Sequence, residues 1–203
     1  MTTALRGYFG LGVEGVSKPY NVGNVFRTAH AFGASFVFTV AANYRQEEGA
    51  KVDTSDALAS LPFYRFGEVD DMMLPKGCKL VGLEIVPESI DLPSFRHPSC
   101  AAYVLGAERH GLSPAMLARC DHVVKIPMRF SINLGMAGAI VLYDRLITVG
   151  RFAPRPVRSG GPTEALDTPV HGGPFFRASG AAHLERWRAA PPLNEVAEAR
   201  EKD

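Results

Sequence analysis

Apolar residues follow two rhythms along this chain. Short runs such as SFVFTVA (35–41), KLVGLEIV (79–86), AAYVLG (101–106) and HVVKIP (122–127) are apolar nearly throughout. Runs of that length predict strands buried on both faces. Residues 5–13 fit a first strand of the same kind, and PFYRF (62–66) fits a short one. Between strands the period changes. Val22, Val25, Phe26, Ala29 and Phe32 recur at helical spacing, with Asn21 placed as the cap and Gly33 as the stop. Pro19 interrupts the chain just before them. Ser113 is placed to cap a short helix that Pro114 begins, and residues 133–149 predict a long apolar helix. Residues 43–61 are polar and irregular, as a surface excursion would be. Strands alternating with helices predict an α/β fold, with a mostly parallel sheet and helices on both faces.

The composition changes after Gly150. RFAPRPVRSGGPTEALDTPVHGGPFFR is dense in Pro, Gly and Arg, which predicts a partly disordered tail over 151–203 beside one domain over 1–150. Within the tail, residues 183–189 fit a short helix. Its arginines are candidates for added phosphate contacts. The chain has 203 residues, 46% of them hydrophobic, enough for one real core. A formal charge of +1 gives no global field to attract nucleic acid. Cys78, Cys100 and Cys120 are widely spaced, which fits buried free thiols in a reducing compartment. The first residues lack a signal pattern, and no apolar run approaches the roughly 20 residues of a membrane helix. The expectation is a cytoplasmic protein with no membrane partner.

Two glycine patterns invite phosphate chemistry. Gly10, Gly12 and Gly15 spell G-x-G-x-x-G, but Lys18-Pro19 follows where a dinucleotide-binding helix should already have begun. Tight packing of a buried strand is the plainer reading. GAERHGLS (106–113) approaches a phosphate-binding loop, yet Leu112 stands where that loop needs lysine. His30 and His110 have no second ligand at metal-binding spacing, so no metal is expected. Ser131 is not in a nucleophile elbow.

Three segments carry one pattern together. NVGNVFRTAHAFGA (21–34) holds Asn21, Gly23, Arg27 and Ala29. YVLGAERHGLSPAML (103–117) holds Gly106, Glu108, Gly111 and Leu112. IPMRFSINLGMAGAIVLYDRL (126–146) holds Ile126, Pro127, Ser131, Asn133 and Ala137. In order and separation they resemble motifs 1, 2 and 3 of the SpoU (TrmH-like) RNA methyltransferases of the SPOUT superfamily, in their minimal single-domain form.

That resemblance implies a C-terminal deep trefoil knot, a homodimer, and S-adenosylmethionine as cofactor. It implies methyl transfer to a ribose 2′-hydroxyl of RNA, with tRNA the expected acceptor. Arg27, Asn21, Glu108 and Asn133 are the implied catalytic residues. Leu83, Gly106, Gly111, Ile126, Met128, Ser131 and Ile132 are the implied cofactor-binding residues, Leu83 by position only. A glycine turn brings backbone groups close to a neutral nucleoside, which needs no lysine. Arginine is a poor base but a good phosphate ligand, so Arg27 suits polarising the ribose oxygen. Glu108 is placed to orient Arg27 or a loop amide. Only Arg129 and Phe130 separate Met128 from Ser131, a short loop for the family. Two other readings share these motifs: a catalytically silent knotted RNA-binding dimer, and a SPOUT enzyme that methylates an RNA base.

Overall fold

The computed structural model describes residues 7–43, 60–150 and 152. The elements below all belong to the compact unit Met1–Arg151. Seven strands form one sheet in the order β3-β2-β1-β6-β4-β7-β5, and every pairing is parallel. They are β1 (Tyr8–Glu14), β2 (Phe36–Val40), β3 (Phe63–Phe66), β4 (Lys79–Leu83), β5 (Ile90–Asp91), β6 (Cys100–Leu105) and β7 (His122–Lys125). The helices are α1 (Pro19–Ala31), α2 (Pro114–Arg119) and α3 (Leu134–Val149).

Both faces of the sheet are covered, as continuous apolar strands require. On one face Phe9, Leu11, Val13, Tyr103 and Leu105 pack under α1 and α3. On the other, Phe36, Phe38, Ala102 and Val104 pack against Leu112 and Met116 at α2. Gly10 and Gly12 face that second side, in register with Phe36 and Phe38. A Cβ on Gly10 would lie 2.3 Å from the Phe36 ring, and one on Gly12 would lie 2.5 Å from the Phe38 ring. The first two glycines of the G-x-G-x-x-G pattern therefore lie inside a strand and make room for aromatic rings. Only Gly15 is in the turn, at φ +65°.

The helix start after β1 corrects the expectation for Asn21. Lys18 is the N-cap and Pro19 the first helical residue, so Pro19 opens α1 rather than interrupting the chain. Proline suits that position because its φ is preset and its missing N–H would have had no helical partner. Asn21 lies in the first turn, and its N–H donates to the Lys18 carbonyl at 3.1 Å. The other end follows expectation. Gly33 takes φ +75°, and the Ala34 and Gly33 amides donate to Ala29 and His30 in a Schellman motif.

Other limits shift slightly. β4 ends at Leu83 instead of running to residue 86, and just beyond it the Ile85 N–H donates to the Glu84 carboxylate at 2.9 Å. The two-residue β5 at the sheet edge had no periodic signal. Ser113 does cap α2, accepting from the Met116 N–H at 3.1 Å. Asn133 caps α3, accepting from the Gly135 N–H at 2.9 Å. The expected tail, its 183–189 helix and most of the 43–61 excursion lie outside the described residues. Among those described, no helix is long and apolar enough to cross a membrane. Cys78, Cys100 and Cys120 are free thiols, each half-buried.

Candidate active site

Ligand crevices in parallel sheets form beyond the carboxyl ends of the strands. Here the loops after β4, β6 and β7 meet there around a cleft of about 530 Å³. Its lining includes Leu83, Gly106, Gly111, Ile126, Met128, Ser131 and Ile132, the full set of residues expected at a cofactor. Asn133 and Glu108 line it too, as do Glu84, Arg109 and Lys125.

The turn after β6 gives the cleft its floor. Gly106 touches the far side of its own loop: a Cβ there would sit 2.1 Å from the Gly111 carbonyl carbon. Gly111 has φ +65°, and a Cβ on it would lie 2.3 Å from Glu84 Oε2. Side chains are excluded at both positions by contact, and at Gly111 by backbone conformation as well.

Four successive amides of this turn, those of residues 110–113, are engaged within the protein. His110 and Gly111 donate to the Ala107 carbonyl at 3.3 and 2.8 Å. Leu112 donates to Glu84 Oε2 at 2.7 Å. Ser113 donates to Glu14 through its N–H at 2.9 Å and through its hydroxyl at 2.6 Å. A phosphate cradle needs free N–H groups and positive charge. The 110–113 stretch offers spent N–H groups, two of them held by carboxylates. Glu14 and Glu84 went unnoticed in the sequence. Each stands just beyond or at the end of an apolar strand, and its partner is far along the chain.

Glu108 forms an ion pair with Lys18 at 3.0 Å across the mouth of the turn. Hydrogen bonds from Lys18, and then from Asn21, hold its carboxyl below the usual range against the opposing effect of burial. Motifs 1 and 2 thus meet through Asn21 and Glu108, with Lys18 as the member the sequence reading missed. Arg27 is exposed on α1 and lines neither this cleft nor the smaller one beside it. Six residues turn a helix through about 240° beyond full circles, so Asn21 and Arg27 point to different sides. Among the described residues, no group of three or more His, Cys, Asp or Glu is placed to hold a metal ion.

Residues 9–143 match the model of the SpoU rRNA Methylase family. A 23S rRNA (guanosine-2′-O-)-methyltransferase of Coxiella burnetii is 30% identical over 153 residues, covering 71% of this chain and 59% of that protein. A tRNA (guanosine(18)-2′-O)-methyltransferase of Escherichia coli is 26% identical over 137 residues, covering 65% of this chain and 60% of that one. The chain therefore spans about three fifths of the length of these two relatives. The crystal structure of the SpoU methyltransferase AviRb from Streptomyces viridochromogenes, in complex with AdoMet, superposes with a TM-score of 0.64 at 26% identity. That match covers 72% of this chain and 60% of AviRb.

Proposed function

The chain belongs to the SpoU rRNA methylase family, and on that premise we propose that it transfers a methyl group from S-adenosylmethionine to a ribose 2′-hydroxyl of RNA, with tRNA as the acceptor. The observation that carries this reading is the single cleft gathering Leu83, Gly106, Gly111, Ile126, Met128, Ser131 and Ile132.

The chemistry of the cleft suits that cofactor. Leu83, Ile126 and Ile132 offer an apolar wall for an adenine ring, and the 106–111 turn brings backbone close enough to meet a ribose. Carboxylates (Glu84, Glu108) and cations (Arg109, Lys125) are both present for an amino-acid end that carries both charges. The cofactor supplies an activated methyl on a sulfonium. The chain has to align the acceptor oxygen with the methyl–sulfur bond and ease away its proton. Asn21 and Glu108 are the polar groups nearest that task. Arg27 is assigned to holding an RNA phosphate and polarising the ribose oxygen on the strength of the motif resemblance alone, since it lines neither cleft. Asn133 orders the start of α3 beside the cofactor.

Four further parts complete the reading. The C-terminal part of the domain, through the loops after β6 and β7, forms the trefoil knot. The working unit is a homodimer. Its support is an exposed apolar stripe on α3, Met136, Ile140, Tyr143 and Ile147, spaced as one helix face. Residues 1–150 are the methyltransferase domain and 151–203 an appended segment. The reaction is placed in the cytoplasm, where free thiols persist.

The test is transfer of labelled methyl to bulk RNA from cells lacking this gene, followed by nuclease digestion and mass analysis. A 2′-O-methyl nucleoside in the tRNA fraction is the expected product. The same product only in rRNA corrects the acceptor, a methylated base corrects the reaction, and no transfer to any RNA ends the enzymatic reading.

A further inference from the structure

A second cleft of about 380 Å³ adjoins the first. Its walls are the 15–18 turn after β1, Asn21, Asn43 after β2, and the 107–110 turn after β6. The two clefts share Ala107, Glu108, Arg109 and Leu134. β1 lies where the strand order reverses, with β2 and β3 on one side and the later strands on the other. Ligands in such sheets bind at this switch point. The lining also differs in kind. Glu108 and Arg109 belong to both; the first cleft adds the aliphatic walls of Leu83, Ile126 and Ile132, whereas the second adds Lys18 and His110 with the carboxamides of Asn21 and Asn43.

We propose that the second cleft receives the acceptor nucleotide of the RNA, and that Asn43 and His110 select it. This inference rests on the methyltransferase reading and deepens it. Donor and acceptor must meet, and two clefts sharing one wall bring them together. A phosphate entering here meets Lys18 and Arg109. Lys18 is free to exchange partners, because its side chain is 63% exposed and an exposed ion pair is weak. The Asn43 carboxamide offers a donor and an acceptor side by side, the pattern that reads a base edge. The His110 ring offers a stacking face. The backbone of each is fixed. The Asn43 N–H is anchored on the Val16 carbonyl at 3.0 Å and the His110 N–H on the Ala107 carbonyl at 3.3 Å. A base paired within a helix cannot enter such a space. The acceptor is therefore a nucleotide turned out of a loop or single strand.

The experiment uses the full chain, S-adenosylmethionine, and bulk RNA from cells lacking the gene. Asn43→Ala and His110→Ala are expected to raise KM for RNA by about tenfold each, the scale of one lost base contact. Cofactor affinity by calorimetry and kcat should stay at wild-type values. His110→Phe keeps a stacking ring and should keep KM near wild type. Active wild type with unchanged KM in both alanine variants overturns the inference and leaves the enzyme reading standing. Equal losses of cofactor affinity and kcat in those variants also overturn it, since they indicate a structural role. Wild type that methylates no RNA overturns the enzyme reading and this inference with it.

Discussion

Leu112 and Glu84 are 28 residues apart in sequence, and a 2.7 Å hydrogen bond from the Leu112 amide to Glu84 Oε2 joins them. The bond locks the glycine turn after β6 onto the end of β4. It passes directly over Gly111, where no Cβ would fit. Both elements line the larger cleft, so the carboxylate shapes the proposed cofactor site.

Glu84→Ala should therefore weaken S-adenosylmethionine binding. An unpaired, partly buried amide costs about 1–3 kcal/mol, which corresponds to roughly 5- to 150-fold in Kd where the loss falls on the bound state. Glu84→Gln keeps an acceptor oxygen and should lose less. Calorimetry on the two variants decides the matter, and equal affinity in wild type and Glu84→Ala would deny the turn its dependence on this bond.

Gly12 is predicted to be a packing position. Gly12→Ala would press a methyl into the Phe38 ring, an overpacking cost of about 1–3 kcal/mol. Thermal unfolding should move down accordingly. The double variant Gly12→Ala with Phe38→Leu should recover part of the loss, because the ring is what the methyl meets. Additive destabilisation in the pair would refute the contact.

Much of this architecture was legible because it rests on local rules. Ser113, Pro114, Asn133 and Gly33 act where capping chemistry predicts, and the strand runs are apolar because both sheet faces are buried. The motif residues could be grouped into one cleft only through family resemblance, since periodicity alone marks Leu83, Ile126 and Ile132 as core. What escaped was long-range and polar. Glu14 reaches Ser113 across 99 residues, and Lys18 reaches Glu108 across 90. No local pattern announces such pairs. Asn21 looks like a cap because an asparagine ahead of a helical period fits one, whereas the proline two residues earlier presets the first turn.

Arg27→Ala is expected to leave cofactor affinity and oligomeric state intact and to lower kcat by about 100-fold or more, the usual scale for losing a group that assists proton loss. A melting temperature equal to wild type separates such a loss from a folding defect. Arg27→Lys keeps the charge without the planar fork and should recover little. Full turnover in Arg27→Ala would remove this residue from the mechanism.

His97 should make stability depend on pH. It is buried, with Nδ1 at 2.6 Å from the Tyr103 hydroxyl and Nε2 at 2.9 Å from Asp144 Oδ2. Burial pushes the Tyr103 hydroxyl up to about 12, so it stays protonated. It donates to Nδ1 and accepts from Arg145 at 3.2 Å. These partners assign the Nε2–H tautomer of a neutral imidazole, which donates to Asp144. Burial lowers the His97 pKa, and the Asp144 hydrogen bond opposes that without reversing it. A histidine depressed in the folded state binds its proton more readily when unfolded. The folded state is therefore favoured above the unfolded value near 6.5 and loses that advantage as pH falls from there toward the folded value. Melting temperatures measured between pH 8 and pH 5 should decline below about 6.5. In His97→Asn the starting stability should be lower, because Tyr103 and Asp144 lose a partner, but this part of the decline should vanish. An identical pH slope in that variant would show that other groups set the acid limit of the fold.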